Sequence, residues 1–240
     1  MQLIIDLGNS RIKYFVFHRD KEIDSITVSL EEWENALNHI QTEHPSLKKC
    51  IISDVNGIIT NDLKSSLYPI QIIFCSTKLN LPFKTRYQPA KDLGSDRIGL
   101  LAACAIEYPK QNTLIIDLGS CITYDFLDIK GIHHGGAISP GFTMRYKAMN
   151  SFSGRLPLLK PKSGTTFLGT NTESGIHAGV SMGIFAEINE AINYYKENYK
   201  FLNVILTGGD AQRLPKPLKN SIFANTNFLA KGLNFILSSN

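Results

Sequence analysis

One short segment occurs twice in this chain. Leu3-Ile4-Ile5-Asp6-Leu7-Gly8-Asn9 returns as Leu114-Ile115-Ile116-Asp117-Leu118-Gly119-Ser120, displaced by 111 residues in a chain of 240. A short period would indicate a solenoid. A period near half the chain indicates two domains built on one plan. In each half an apolar strand ends at an Asp-Leu-Gly turn, a β-meander follows, and helices come after it. The boundary falls near Pro109 to Asn112, which gives domains 1–110 and 111–240.

The local patterns fill in that plan. Ile12, Tyr14, Val16 and His18 alternate along a second strand, and Ile23 to Val28 gives a third. Ser29-Leu30-Glu31-Glu32 reads as a capping box opening a helix with Trp33, Leu37 and Ile40 on one face, ending before Pro45. Cys50 to Ser53 reads as a buried strand, Asn61 to Leu67 as a short helix and Ile70 to Cys75 as a strand. Thr77 to Ala90 reads as an extended loop. After Asp92 to Arg97 comes a helix with Ile98, Leu101, Ala102 and Ala105 at helical spacing, its small side chains permitting close packing. In the second half, strands are expected at Thr123 to Leu127, Gly131 to Ile138, Val204 to Leu206 and Ile222 to Ala224. Helices are expected at Gly141 to Phe152, Ser174 to Tyr195 and Asn227 to Leu237.

Hydrophobic residues make up 43% and charged residues 19%, an ordinary globular composition. Lys and Arg outnumber Asp and Glu by 25 to 21, a net charge of +4. That mild excess is dispersed, with no basic run of the kind that tracks a phosphate backbone, so it suits a small anionic ligand and not nucleic acid. Cys50, Cys75, Cys104 and Cys121 form no C-x-x-C pair, and three of them lie in apolar runs as small core residues. No signal peptide and no apolar run of about 18 residues are evident. The expectation is a cytoplasmic protein without a membrane partner.

The chemistry concentrates at the turns. Asp6 and Asp117 each end a strand, so their carboxylates sit where the following backbone N–H groups could face an anion and the carboxylate could hold a cation. One Asp-Leu-Gly is an ordinary turn; two at matching places read as phosphate turns facing across a cleft. Lys13 is either a phosphate counter-charge or a solvated strand lysine, and Arg11 carries a weaker form of the same argument. Thr207-Gly208-Gly209-Asp210 lets backbone approach a flat ligand such as adenine. In Gly94-Ser95-Asp96-Arg97, Asp96 either complements the helix dipole or acts as a general base beside an anion-binding Arg97. Gly135 to Gly141 is a turn between strand and helix. His133 and His134 are adjacent on a strand, point to opposite faces and cannot share one ion, so they read as structural or surface residues.

These motifs, in this order, resemble the type III pantothenate kinase family of the acetate and sugar kinase/Hsp70/actin superfamily. The resemblance rests on D-L-G-N-S-R-I-K at Asp6 to Lys13, on Tyr87 with G-S-D-R at Gly94 to Arg97, and on D-L-G-S-C-I-T at Asp117 to Thr123. G-G-A-I-S-P-G at Gly135 to Gly141, R-L-P at Arg155 to Pro157, G-T-N-T at Gly169 to Thr172 and T-G-G-D-A at Thr207 to Ala211 complete the set. It implies an α/β fold of two RNase H-like domains with the ligand cleft between them. It implies ATP-dependent phosphorylation of pantothenate, the first step of coenzyme A biosynthesis. By resemblance, Asp96 is the catalytic base. The ATP contacts are Asp6, Leu7, Gly8, Asn9, Ser10, Arg11, Ile12, Lys13 and Ser120. Pantothenate would be held by Tyr87, Gly94, Ser95, Asp96 and Arg97, with Thr172 supplied by the neighbouring subunit of a homodimer. Asp6 would lie near Mg²⁺, and Asp117 would bind a monovalent cation, K⁺ or NH₄⁺. Ser120 and Cys121 stand where the family usually has Thr and a small residue; Ser keeps the hydroxyl. The alternatives are a sugar or polyphosphate enzyme of the same superfamily, typically longer than this chain, and a non-catalytic regulatory relative.

Overall fold

The computed structural model describes residues 1–55, 57, 61–163, 166–214, 222–223 and 227–240. Among them the elements run β1 (Gln2–Leu7), β2 (Arg11–His18), β3 (Lys21–Ser29), α1 (Trp33–Glu43), β4 (Lys49–Asp54), α2 (Asn61–Ser66), β5 (Gln71–Phe74) and β6 (Lys84–Thr85). They continue with α3 (Ser95–Glu107), β7 (Asn112–Leu118), β8 (Cys121–Leu127), β9 (Ile132–Pro140), α4 (Phe142–Phe152), α5 (Thr172–Asn198), β10 (Leu202–Thr207), β11 (Ile222–Phe223) and α6 (Phe228–Ser238). Ala224, expected in the last strand, lies outside the described residues.

The chain forms two compact units. The first is Met1–Pro109 with Gly131–His133 and Asn227–Asn240; the second is Lys110–Lys130 with His134–Thr226. The first is therefore not a single N-terminal segment, because the last helix of the chain belongs to it.

The first unit's sheet has the order β3-β2-β1-β4-β5, with β1–β2 and β2–β3 antiparallel and β1–β4 and β4–β5 parallel. The second unit's sheet follows the same scheme as β9-β8-β7-β10-β11, with β7–β8 antiparallel and β7–β10 and β10–β11 parallel. Strand for strand, β7 to β11 stand in for β1 to β5, with β10 and β11 taking the places of β4 and β5. The duplication visible in two turns thus extends to the whole topology. The fold is α/β with two sheets of mixed direction.

In the first unit Leu3, Ile5, Leu7, Ile12, Tyr14 and Val16 pack against Ala36, Leu37 and Ile40 of α1. The helix is there because those residues give it one apolar face, but its start is not the expected capping box. Ser29 stays in β3, and its N–H and hydroxyl both donate to the Glu32 carboxylate, at 3.1 and 2.7 Å. The close packing expected of α3 is present. It is made at Gly99 and Ala103, where a Cβ on Gly232 of α6 would stand 1.9 Å from the Gly99 carbonyl and 2.7 Å from the Ala103 nitrogen. In the second unit Leu114, Ile116, Leu118, Ile122 and Tyr124 pack against Ile176, Val180, Ile184 and Ile188 of α5. Cys50 and Cys104 are buried, whereas Cys75 and Cys121 are only partly so.

Candidate active site

In sheets of this kind the carboxyl ends of the parallel strands are where ligands bind. In the first unit those ends carry Asp6 of β1 and Ser53 of β4, which lie in register. Lys13 of β2 is the cross-strand partner of Asp6 on the other side, with Nζ 3.5 Å from Oδ2. The sequence left Lys13 between two readings, and the register puts its ammonium at this carboxylate. Asp6 is 7% exposed. Burial raises its pKa above the ordinary carboxylate range, and the Lys13 charge with hydrogen bonds from Lys13 and Ser53 oppose that shift. The Lys13 side chain is half in solvent, so it offsets the buried charge only in part. A site of this kind favours a bound cation.

Next to it stands the start of α3. Ser95 Oγ lies 3.0 Å from Ser53 Oγ, and Cys75 Sγ donates to the Ser95 carbonyl at 3.6 Å. Burial pushes the Cys75 thiol up to about 12, and the negative charges of Asp96 and Asp6 add to the effect. That thiol is a neutral wall beside two carboxylates, not a nucleophile. Asp96 occupies the first turn of α3, where the helix dipole favours negative charge. Its Oδ1 accepts from the Arg97 N–H at 2.7 Å. A Cβ at Gly94 would come within 2.6 Å of the same oxygen, so the carboxylate is folded back over the turn.

Arg97 is buried and its guanidinium lies over the Tyr87 ring, 5.0 Å from the centroid. Tyr87 in turn is fixed from behind. Its N–H donates to Thr85 Oγ1 at 3.0 Å, that hydroxyl lies 2.8 Å from His133 Nδ1, and the His133 ring stacks on Tyr87 at 6.3 Å and 13°. The pairing of β6 with Ile132 and His133 sets up this arrangement. His134 points the other way, its Nε2 2.8 Å from Asp128 Oδ2. The two adjacent histidines thus have separate partners.

Of the other residues expected at this turn, Leu7 and Ile12 have their side chains in the core, so only their backbone is free to meet a ligand. Gly8 N donates to Arg11 O at 3.0 Å, and Asn9, Ser10 and Arg11 are exposed on the turn.

The second unit repeats the hairpin with one residue fewer. Gly119 N donates to Cys121 O at 3.0 Å, so the tip is Ser120 alone. Thr123 therefore stands opposite Asp117, in the place that Lys13 takes opposite Asp6. Ser120 is exposed. Two other motifs brace this turn. Gly208 has φ +94°, and a Cβ there would fall 2.4 Å from Leu118 O and 2.5 Å from Asp117 Oδ1. Asp210 N donates to Leu118 O at 3.0 Å. From the other side Gly141 N donates to Ser120 O at 3.1 Å, and a Cβ on Gly141 would be 2.5 Å from Gly119 O. Gly136 passes so close to Tyr124 that a Cβ would sit 1.6 Å from its carbonyl. Gly136 and Gly141 are thus needed where backbone crosses backbone, whereas Gly135 is set apart by its φ of +97°. The end of β9 is clamped by Arg145, whose Nε donates to Pro140 O at 2.8 Å and which pairs with Glu187 of α5. Burial disfavours the Glu187 charge, but hydrogen bonds from Tyr124, Arg145 and Ser139 outweigh it and hold its pKa below the usual value.

Thr172 is the first residue of α5, exposed, behind an Asn171 N-cap that accepts from Ser174 N at 2.8 Å while Ser174 Oγ accepts from Asn171 N. The stripe Ile176, Val180, Ile184 and Ile188 is spent on this unit's own core. Gly179 between them faces open space.

Among the described residues no cluster of three or more His, Cys, Asp or Glu could hold a metal. A divalent cation here would be held by one carboxylate together with substrate phosphates and water, the usual manner of Mg²⁺. Asp6 suits that. No helix among the described residues is long and apolar enough to cross a membrane.

The family model of type III pantothenate kinase matches residues 2–194. The chain belongs to the type III pantothenate kinase family. A relative of that name from Christiangramia forsetii is 42% identical, covering 100% of this chain and 99% of the relative. Among solved structures, a Campylobacter jejuni protein described as of the Baf family of transcriptional activators is 25% identical, with a TM-score of 0.66 over 98% of this chain and 97% of its own. The polyphosphate/ATP-glucomannokinase of an Arthrobacter strain, at 11% identity and a TM-score of 0.51 over 99% and 98%, shares the fold.

Proposed function

We propose that the chain is a pantothenate kinase, transferring the γ-phosphoryl group of ATP to the primary hydroxyl of pantothenate. The observation that carries this is the family match over essentially the whole chain, with Asp6, Asp96 and Asp117 all present. The retained carboxylates favour it over a non-catalytic regulator of the kind named for the Campylobacter structure.

Phosphoryl transfer asks a protein mainly to position groups and neutralise charge. Asp96, folded over the first turn of α3, accepts the proton of the attacking hydroxyl. Arg97, held by the Tyr87 ring, pairs with the pantothenate carboxylate, and the backbone of Gly94 and Ser95 lines the same substrate. Lys13 neutralises phosphate oxygens, and the backbone of Gly8 to Ile12 and the hydroxyl of Ser120 contact ATP. Asp6 holds the Mg²⁺ that comes with ATP; the ion supplies charge neutralisation of the phosphates. Asp117 binds K⁺ or NH₄⁺. Thr172, fixed at an exposed helix start, completes the pantothenate site of a second subunit in a homodimer. The test is pantothenate-dependent ADP release with and without K⁺. Turnover that needs pantothenate supports the reading, and turnover on hexoses alone refutes it.

A further inference from the structure

We infer that Ser53 is a positioning residue for this transfer: its hydroxyl ties the Asp6 carboxylate to the start of the helix that carries Asp96. The inference rests on the functional reading above.

Ser53, next to last in β4, is in register with Asp6 and fully buried. A buried hydroxyl is costly unless its hydrogen bonds are made. The Ser53 hydroxyl faces two functional positions: the Asp6 carboxylate, its cross-strand neighbour, whose charged form it helps to favour, and Ser95 Oγ, 3.0 Å away. A hydroxyl has one proton and two lone pairs, so it can donate to a carboxylate and accept from a second hydroxyl at once. Ser95 is the first residue of α3, and Asp96 follows it. The carboxylate proposed for the metal and the one proposed for the proton thus sit at the two ends of a single bridge, Asp6–Ser53–Ser95–Asp96. Lys13 on β2 holds Asp6 from the far side, and Cys75 after β5 holds the Ser95 carbonyl. Neither of them links the two carboxylates. Without the Ser53 hydroxyl, Lys13 is left as the side-chain partner of Asp6, and the Ser95 hydroxyl is released. The spacing of the two acids is then no longer enforced.

The experiment is a double-mutant cycle of Ser53→Ala and Ser95→Ala, with three readouts: steady-state kinetics, calorimetric binding of Mg·ADP, and thermal unfolding. Loss of a supporting hydrogen bond behind a ligating side chain typically costs about 10- to 100-fold in activity or metal affinity. Ser53→Ala is expected to lose that much in kcat and to bind Mg·ADP more weakly, with the KM for pantothenate little changed because Arg97 and Tyr87 are untouched. Ser95→Ala should lose kcat as well, and the double variant should be no worse than Ser53→Ala, the mark of one shared interaction. Losses that multiply, or a kcat and Mg·ADP affinity equal to wild type in Ser53→Ala, would overturn the inference. If Ser53→Ala does not fold, Ser95→Ala decides, since it removes the other half of the hydroxyl pair; wild-type kcat there overturns the bridge. A wild-type protein that binds Mg·ADP but releases none with pantothenate overturns the functional reading instead. Ser53 is then judged on Mg·ADP affinity alone, weakening in Ser53→Ala supporting it and no change refuting it.

Discussion

Gly208 and Gly209 are adjacent and chemically identical, yet alanine is predicted to be costly at the first and near neutral at the second. Gly208 sits at φ +94°, a conformation L side chains rarely adopt, and a new Cβ would overlap Leu118 O at 2.4 Å and Asp117 Oδ1 at 2.5 Å. Holding a residue in such a region costs about 1–3 kcal/mol. Relieving the overlap costs more, because Leu118 closes strand β7 and its carbonyl accepts from Asp210 N at 3.0 Å. Overpacking of this kind costs about 1–3 kcal/mol. Against this, alanine lowers the entropy of the unfolded chain by about 0.4–1 kcal/mol. The net expectation for Gly208→Ala is a destabilisation of about 3 kcal/mol, equivalent to a fall in Tm of about 6–12 °C. At Gly209 nothing lies within 4 Å of a Cβ, so Gly209→Ala should stay within about 0.5 kcal/mol of wild type. Urea unfolding of the three proteins side by side measures both. If Gly209 is where adenine packs, its alanine variant raises the KM for ATP at unchanged stability. Equal stability of the two variants would refute the argument that the turn is held by steric necessity at Gly208.

Asp96→Asn should keep the fold and the ATP affinity and lower kcat by about 10²-fold or more, the usual scale for a lost general base; near wild-type turnover removes Asp96 from that role. Activity should rise strongly with K⁺ or NH₄⁺ over Na⁺, and Asp117→Ala should abolish that response, as read by ADP release in matched chloride salts. Mixing inactive Asp96→Asn with a Thr172→Ala variant impaired in pantothenate binding should restore part of the activity through mixed dimers that carry one intact site. A fully active monomer in sedimentation at assay concentration would exclude shared sites.

The parts of the fold legible in the sequence are those set by local chemistry. An apolar run ending in Asp-Leu-Gly forces strand then hairpin wherever it occurs, so two copies sufficed to reveal two sheets of one topology. Signals that depend on what a side chain meets in space were misread. Ser29 and Glu32 have capping-box spacing, yet Ser29 pairs along β3 with Arg11, and the helix starts after Glu32. The true box, Asn171 with Ser174, uses a serine where the usual pattern has an acid. The helix expected from Ser174 therefore begins two residues earlier, at Thr172. Membership of α6 in the first unit was invisible, because a Gly232 that fits against Gly99 is recognisable only once both helices are placed. The α5 stripe satisfied both a subunit interface and a core face by periodicity; burial against β7, β8 and β10 decides for the core. Ser53 carried no signal, since a serine after Ile51-Ile52 is ordinary, and its meaning comes from the register with Asp6.

The same register separates the two copies of the motif. The first hairpin has Asn9 and Ser10 at its tip and so brings Lys13 opposite Asp6; the second, with Ser120 alone, brings Thr123 opposite Asp117. In both copies the residue after the Ile that faces the turn's Leu stands opposite the Asp, and there the second copy carries an uncharged hydroxyl in place of an ammonium. In the first copy the carboxylate is neutralised in part by the protein itself, which leaves Lys13 free to share its charge with phosphate. In the second copy the position opposite Asp117 holds the Thr123 hydroxyl, and the Gly208 backbone lies so near the Asp117 carboxylate that a Cβ there would be 2.5 Å from Oδ1. If the monovalent cation binds at Asp117 as proposed, Thr123→Lys should lower the dependence of activity on K⁺ by setting an ammonium opposite that carboxylate, whereas Thr123→Val should leave the dependence in place.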